Sequence, residues 1–306
     1  MEIEKNFKYG GWENCLHLTN GEVEAVITTD VGPRIIRFGF TGNQNLFGEM
    51  EQQLGKTGGN EWTSYGGHRL WHSPEVMPRT YFPDNNPVNY QWNGKTLKLI
   101  QDIEDTTGIQ KEIEITPGQA NNHIRILHRL INKNIWEIEL APWAITVMAK
   151  NGRAIVPQEP YGTHEGSLLP ARPLVLWPYT EMSDPRFIWG NKFIRVKQDP
   201  EAKTAQKIGV LNTLGWAAYY LNEQLFIKRY KFDPEAHYPD FGANTEVFSN
   251  PDILEIETLG SMKRLPPGGS TEHIENWFLF KMKLSEDEGL LENELTPFIK
   301  KTDIDI

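Results

Sequence analysis

Cysteine is almost missing from this chain: Cys15 stands alone in 306 residues. It has no partner for an intrachain disulfide, and no cysteine cluster is present to hold a metal. Positive charge is also short, with 31 Lys and Arg against 41 Asp and Glu and a formal net charge of −10. Without a basic stripe there is little to drive counterion release, so nucleic acid is not an expected partner. No apolar run reaches the length that spans a bilayer, so no membrane partner is expected either. The opening Met1-Glu2-Ile3-Glu4-Lys5 is polar and lacks the apolar stretch of a signal peptide. A reducing cytoplasm is the expected compartment. Two catalytic motifs are also lacking. Gly55-Lys56-Thr57 resembles the tail of a phosphate-binding loop, but the glycine required five positions earlier is Met50. There is no Gly-x-Ser-x-Gly elbow. No cofactor motif is present and no cofactor is expected.

Aromatic residues are plentiful: ten Trp, ten Tyr and fourteen Phe make 11% of the chain. Most are expected to fill a core. Some Trp and Tyr could instead offer faces to the apolar C–H side of a pyranose ring. Strand signals dominate the pattern. Leu16 to Thr19, Asn20-Gly21 and Glu22 to Val26 read as a hairpin, and Val88 to Trp92, Asn93-Gly94 and Lys95 to Leu99 repeat the device. Asn-Gly predicts type I′ turns. Ile124, Ile126 and Leu130 alternate with Arg125 and Arg129. Trp136, Ile138 and Leu140 alternate with Glu137 and Glu139, and Ile274, Phe278, Phe280 and Met282 share a face. Such period-two alternation means half-buried strands in a two-layer sheet. The best helix signal is a capping box, Ser285-Glu286-Asp287-Glu288, ahead of Leu290, Leu291 and Leu295, with Pro297 near its end. No linker or short repeat divides the chain. The expectation is one all-β domain over 1–306, an antiparallel sandwich of two large sheets.

Three long polar segments, 55–86, 158–184 and 233–250, interrupt the strands and are expected to carry function. The first contains Tyr65-Gly66-Gly67-His68-Arg69-Leu70-Trp71-His72-Ser73-Pro74-Glu75. On a helix, His68 and His72 would face one metal. Gly67 and Pro74 argue against a helix there, and no metal is expected. Arg69 and Glu75 could simply pair. The third segment holds Tyr238, Asp240 and Glu246, with Lys228 just before it. Thr180 to Arg186 reads as a turn closed by Asp184.

The C-terminal third resembles the aldose 1-epimerase (galactose mutarotase) superfamily. Glu246 is followed by Pro267-Gly268, then His273, then Trp277-Phe278-Leu279-Phe280, in the order of that family's catalytic Glu, Pro-Gly, His and aromatic closing strand. Val31-Gly32-Pro33-Arg34-Ile35-Ile36 looks like its early Gly-containing strand. The resemblance implies a galactose mutarotase-like sandwich, with Glu246 as general base. Two positions depart from the family. Tyr65 stands where a His precedes Gly-Gly, and Trp143, within Leu140-Ala141-Pro142-Trp143, stands where the acid His is expected. An indole N–H can donate a hydrogen bond but is no acid at neutral pH.

The leading expectation is therefore a sugar mutarotase or epimerase using Glu246 as base and His68 or His72 as acid. The alternatives are a non-catalytic carbohydrate-binding protein, which Trp143 favours, and a hydrolase or lyase using a carboxylate pair from Glu75, Asp240 and Glu246. Arg69, Trp71, Glu75, Trp143, Lys228, Tyr238 and Asp240 are expected to touch the sugar, a small-molecule carbohydrate. The segments 66–75 and 228–246 are expected to meet in one cleft, with Trp143 on its floor.

Overall fold

A computed structural model describes residues 1–118 and 120–303. Two antiparallel sheets of eleven and ten strands pack face to face. The first runs from the N-terminal strands Glu2–Tyr9, Trp12–Thr19, Val23–Thr28 and Arg34–Phe40 through His68–Ser73, Ile138–Met148, Leu254–Leu259, Thr245–Ser249 and Gln206–Val210 to Leu174–Leu176. The second is centred on Trp216–Leu221, Gln224–Tyr230, Ser270–Lys281 and His123–Asn132. Between them lies one apolar core, with Phe38, Phe47, Phe226 and Trp277 in edge-on contact at its middle. The all-β sandwich is as expected from the alternation.

Parity assigns the faces. In Ser270–Lys281, Trp277 and Leu279 enter the core, whereas Phe278 and Phe280, with Met282 just past the strand's end, pack on Leu291, Leu295 and Phe298 of the helix Glu288–Lys301. That helix begins two residues later than the sequence suggested: Asp287, not Ser285, is its N-cap and accepts from Leu290 N. Pro297 lies inside it. Trp136 is 61% exposed in the turn before Ile138–Met148, so it does not extend that strand's buried face.

The two Asn-Gly hairpins form, but with a different turn. Only the glycines, Gly21 and Gly94, take positive φ, at 89° and 91°; a type I′ turn needs both central residues there. Four residues separate the pairs Thr19↔Glu24 and Trp92↔Leu97. Asn20 and Asn93 each accept two backbone N–H bonds on their side-chain oxygens instead. The larger difference is His68–Ser73, expected in a loop. It is a central strand, buried at all six positions. A strand covered on both faces shows no alternation, and that hid it. Gly66 and Gly67 fit the chain into this position. Both have positive φ, and a Cβ there would lie 2.1 Å from Gly48 O and 2.4 Å from Ile35 O. The glycine pair serves close backbone packing.

Candidate functional site

The strands at the middle of the first sheet present alternate side chains to opposite sides. Toward the second sheet point His68, Leu70 and His72, with Thr146 and Thr258. Away from it point Arg69, Trp71, Trp143, Glu255, Glu257, Glu246 and Lys207. This outer face is where chemistry concentrates. Lys207 Nζ lies 2.7 Å from Glu246 Oε2 and 2.9 Å from Glu257 Oε2. Glu246 and Glu257 are direct cross-strand partners, and Lys207 comes from the next strand. Trp143 Nε1 donates to Glu257 Oε2 at 2.8 Å. Arg69 pairs with Glu255 at 2.9 Å, not with Glu75. The aromatic surround is close: the Lys207 ammonium lies 4.6 Å from the centre of Trp143 and 4.7 Å from that of Trp177, and Arg69 lies over Trp62 and Trp71.

Carboxyl groups outnumber cations here, and burial is nearly complete: Glu246 and Glu257 are each 1% exposed and Lys207 4%. Burial raises the Glu246 pKa well above the usual carboxylate range. Glu257 and Asp240 push the same way, against the pull of Lys207. Glu255 and Asp240 are also raised, burial being the largest cause. Burial would lower Lys207, but its two carboxylates raise it well above an ordinary lysine. Several polar atoms have no aligned hydrogen bond within the protein: both oxygens of Glu246, Oε1 of Glu257, Nε and Nη1 of Arg69, and Nε1 of Trp62. Buried polar groups without partners call for an explanation, and a polar molecule bound on this face would supply one. Around it stand Tyr81, Tyr179, Glu75 and Asp240, all within electrostatic reach of the cluster. A separate cavity of about 490 Å³, beside Phe193, Trp216, Leu295 and Ile299, shares no residue with it.

Of the residues expected from sequence, Arg69, Trp71, Glu75, Trp143, Asp240 and Glu246 come together here. His68, His72, Lys228 and Tyr238 do not. His68 and His72 lie on the inner side of the sheet from Glu246, so neither can serve as the acid for a ligand on the outer face. A strand also sets residues four apart by ~13 Å, which rules out the helical metal pair. Lys228 lies in the second sheet, fully buried, 2.9 Å from Glu275. Tyr238 stacks on Phe232 and accepts from Asp233 N. Thr180 to Arg186 is a turn, with Asp184 accepting from Arg186 N and Nε. Lys207, Glu255, Glu257, Trp62, Trp177 and Tyr179 were missed. Leu254-Glu255-Ile256-Glu257 did carry a signal, two carboxylates on one face of an alternating strand. A lysine before Ile208 carried none.

The inner histidines form a closed network. His128 Nδ1 faces the His273 carbonyl, which can only accept, so Nδ1 carries the proton. Its Nε2 must then accept from His68 Nε2–H at 2.7 Å, and His68 Nδ1 accepts from Thr146. His273 Nε2–H donates to Thr258, which donates to Glu275. Glu275 also accepts from Lys228 and Trp277. Burial keeps these imidazoles neutral: His128 is lowered to about 4 and His273 to about 3. Ligand atoms of His68, His128 and Glu275 lie within 4.8 Å of one another. Each is already engaged within the protein, Glu275 by the Lys228 ammonium at 2.9 Å.

No protein-family model matches the chain, and no curated protein does. Solved structures match it throughout. The protein from Klebsiella pneumoniae provisionally named an aldose 1-epimerase has a TM-score of 0.61 at 11% identity, over 99% of this chain and 88% of that one. A galactose mutarotase-like protein from Lactobacillus casei has a TM-score of 0.57 at 8% identity, over 87% and 100%. A TPR-domain containing protein from Parabacteroides distasonis has 0.58 at 13%, over 89% of this chain, which spans 48% of that longer protein. The fold is thus the galactose mutarotase-like β-sandwich, as the sequence resemblance implied. No helix among the described residues is long and apolar enough to cross a membrane.

Proposed function

We propose that the outer face binds a carbohydrate and exchanges its anomers by acid–base catalysis between Glu246 and Glu257. The observation that carries this is one ammonium, Lys207, shared by two buried carboxyl groups that retain unpartnered oxygens. Their environments separate their tasks. Glu246, the expected base, is the carboxyl whose pKa burial raises, and we assign it as the acid. Glu257 receives both Lys207 and the Trp143 N–H and is the base. Glu257 takes the proton of the anomeric hydroxyl as Glu246 delivers its own to the ring oxygen. The bond from the anomeric carbon to the ring oxygen breaks, the aldehyde end rotates, and the ring recloses as both protons return. Trp143 and Trp177 bracket the charge and offer apolar faces. The two oxygens held by Lys207 lie 2.7 and 2.9 Å from one nitrogen and so are at most about 5.6 Å apart, short of the ~6.5–9.5 Å separation an inverting hydrolase needs.

Polarimetry of freshly dissolved aldohexoses, with binding measured by calorimetry, tests this. Glu246→Gln and Glu257→Gln should each slow anomer exchange ~100-fold or more while sugar still binds. Rates unchanged in both variants would remove the mechanism. Sugar binding without any acceleration by the wild type would favour a non-catalytic binder, the reading that Trp143 supports. No binding across the sugar panel would overturn the carbohydrate reading itself.

A further inference from the structure

Phe241 is 98% exposed, the most exposed of the large hydrophobic residues described. Its backbone is as unusual as its exposure. Asp240 has φ 48° and ψ 56°, and Phe241 has φ 56° and ψ 27°. Two successive L residues in the left-handed region are disfavoured, and a bulky ring there more so. Gly242 continues with φ 95°, and Pro239 precedes the turn. Folding stability alone would place glycine or asparagine at 241, because the ring gains almost no burial. A strained, exposed aromatic points to a role outside the fold.

Its location suggests that role. Asp240, the preceding residue, faces Glu246 and lies within electrostatic reach of Lys207 and Glu257. The chain then enters Thr245–Ser249, which carries Glu246 itself. Other exposed apolar side chains adjoin the same rim: Val76 and Met77, next to Glu75, are 45% and 69% exposed, and Tyr179 is 46% exposed. Glu75 and Asp240 are close enough to influence one another. The deep part of the site is already filled by the Lys207 ammonium between Trp143 and Trp177, so a ring would lie above the Glu246–Glu257 pair toward the rim. An apolar rim outside it has no use for a ligand that ends there.

We propose that Phe241 is the stacking platform for a second sugar ring, so that the ligand is an oligosaccharide whose terminal ring lies over Glu246 and Glu257. This rests on the carbohydrate reading above. The apolar C–H face of the second pyranose lies on the Phe241 ring, and Val76, Met77 and Tyr179 flank it.

Calorimetric titration with aldohexoses, with disaccharides bearing the same sugar at the reducing end, and with the same aldohexoses carrying an aryl ether at the linking hydroxyl tests the proposal. The disaccharide should bind about tenfold tighter than its monosaccharide. Phe241→Ala should remove that gain and leave monosaccharide affinity unchanged, and Phe241→Tyr should retain it. At a site so exposed, neither change should disturb folding. An unchanged affinity ratio in Phe241→Ala overturns the proposal, as does an equal loss for both ligands. A gain confined to the aryl ether would assign the platform to an aromatic substituent and overturn the second-sugar assignment. A variant that only dissociates a dimer in sedimentation would show that Phe241 covers a second copy. Monosaccharide binding with no disaccharide gain refutes this inference alone, whereas no binding of any sugar refutes the reading beneath it.

Discussion

Replacing Lys207 by Met would leave two buried carboxyl groups without their shared cation. Both are 1% exposed, so water cannot compensate. Breaking a buried ion pair by removing one partner typically costs about 3–5 kcal/mol, and that is the loss expected at pH 8. The loss should depend on pH. Without the ammonium, the folded-state pKa of Glu246, already raised by burial, rises further above its unfolded value. A carboxyl raised on folding contributes stability at low pH, where it is protonated in the fold, and loses it as pH rises. The Lys207→Met penalty should therefore shrink on acidification, by about 1.4 kcal/mol per pH unit for each carboxyl that takes up a proton. Urea unfolding of wild type and variant at pH 5, 6, 7 and 8 measures it, provided the denaturant slope is unchanged. The double variant Lys207→Met, Glu257→Gln should recover much of the loss at pH 8. A penalty equal at all four pH values, or below about 1 kcal/mol at pH 8, would show that the pair is well hydrated and refute the reasoning.

The interior histidines supply a second expectation: long-range ¹H–¹⁵N correlation at pH 5 should show His128 protonated at Nδ1 alone and His68 and His273 at Nε2 alone, and titration of all three near 6.5 would contradict the network. Since His128 and His273 have folded pKa values of about 4 and about 3, the stability they contribute is complete above 6.5 and declines as pH falls toward those values, by about 2 kcal/mol each at pH 5. Gly67→Ala should destabilise by about 3 kcal/mol or more, read by thermal unfolding, because the new Cβ meets Ile35 O at 2.4 Å in a left-handed backbone; a change under about 1 kcal/mol would mean the strand can shift. Trp143→Phe keeps an aromatic face but removes the N–H that Glu257 accepts, so it should slow anomer exchange about tenfold or more with sugar binding largely kept. Equal rates in Trp143→Phe and wild type would detach Trp143 from the chemistry.

Local sequence determined which side chains share a face. Arg69 and Trp71 alternate with His68, Leu70 and His72 whatever the strand packs against, because successive Cβ atoms point to opposite sides. Glu255 and Glu257 likewise had to lie together. The sandwich followed from many such alternations and from the hairpins. Tertiary structure decided which face of each strand became the site. A strand covered on both sides gives no sign of which cover is core and which is not, so the dense polar run from His68 to Glu75 suggested one cluster where the sheet makes two, a neutral histidine network inside and a cluster of carboxyl groups, cations and indoles outside. Lys207 is the clearest case: it became the centre of the site only when Gln206–Val210 paired with Thr245–Ser249 and brought one ammonium between two carboxylates from neighbouring strands, a contact made by sheet register and invisible in any local run of residues.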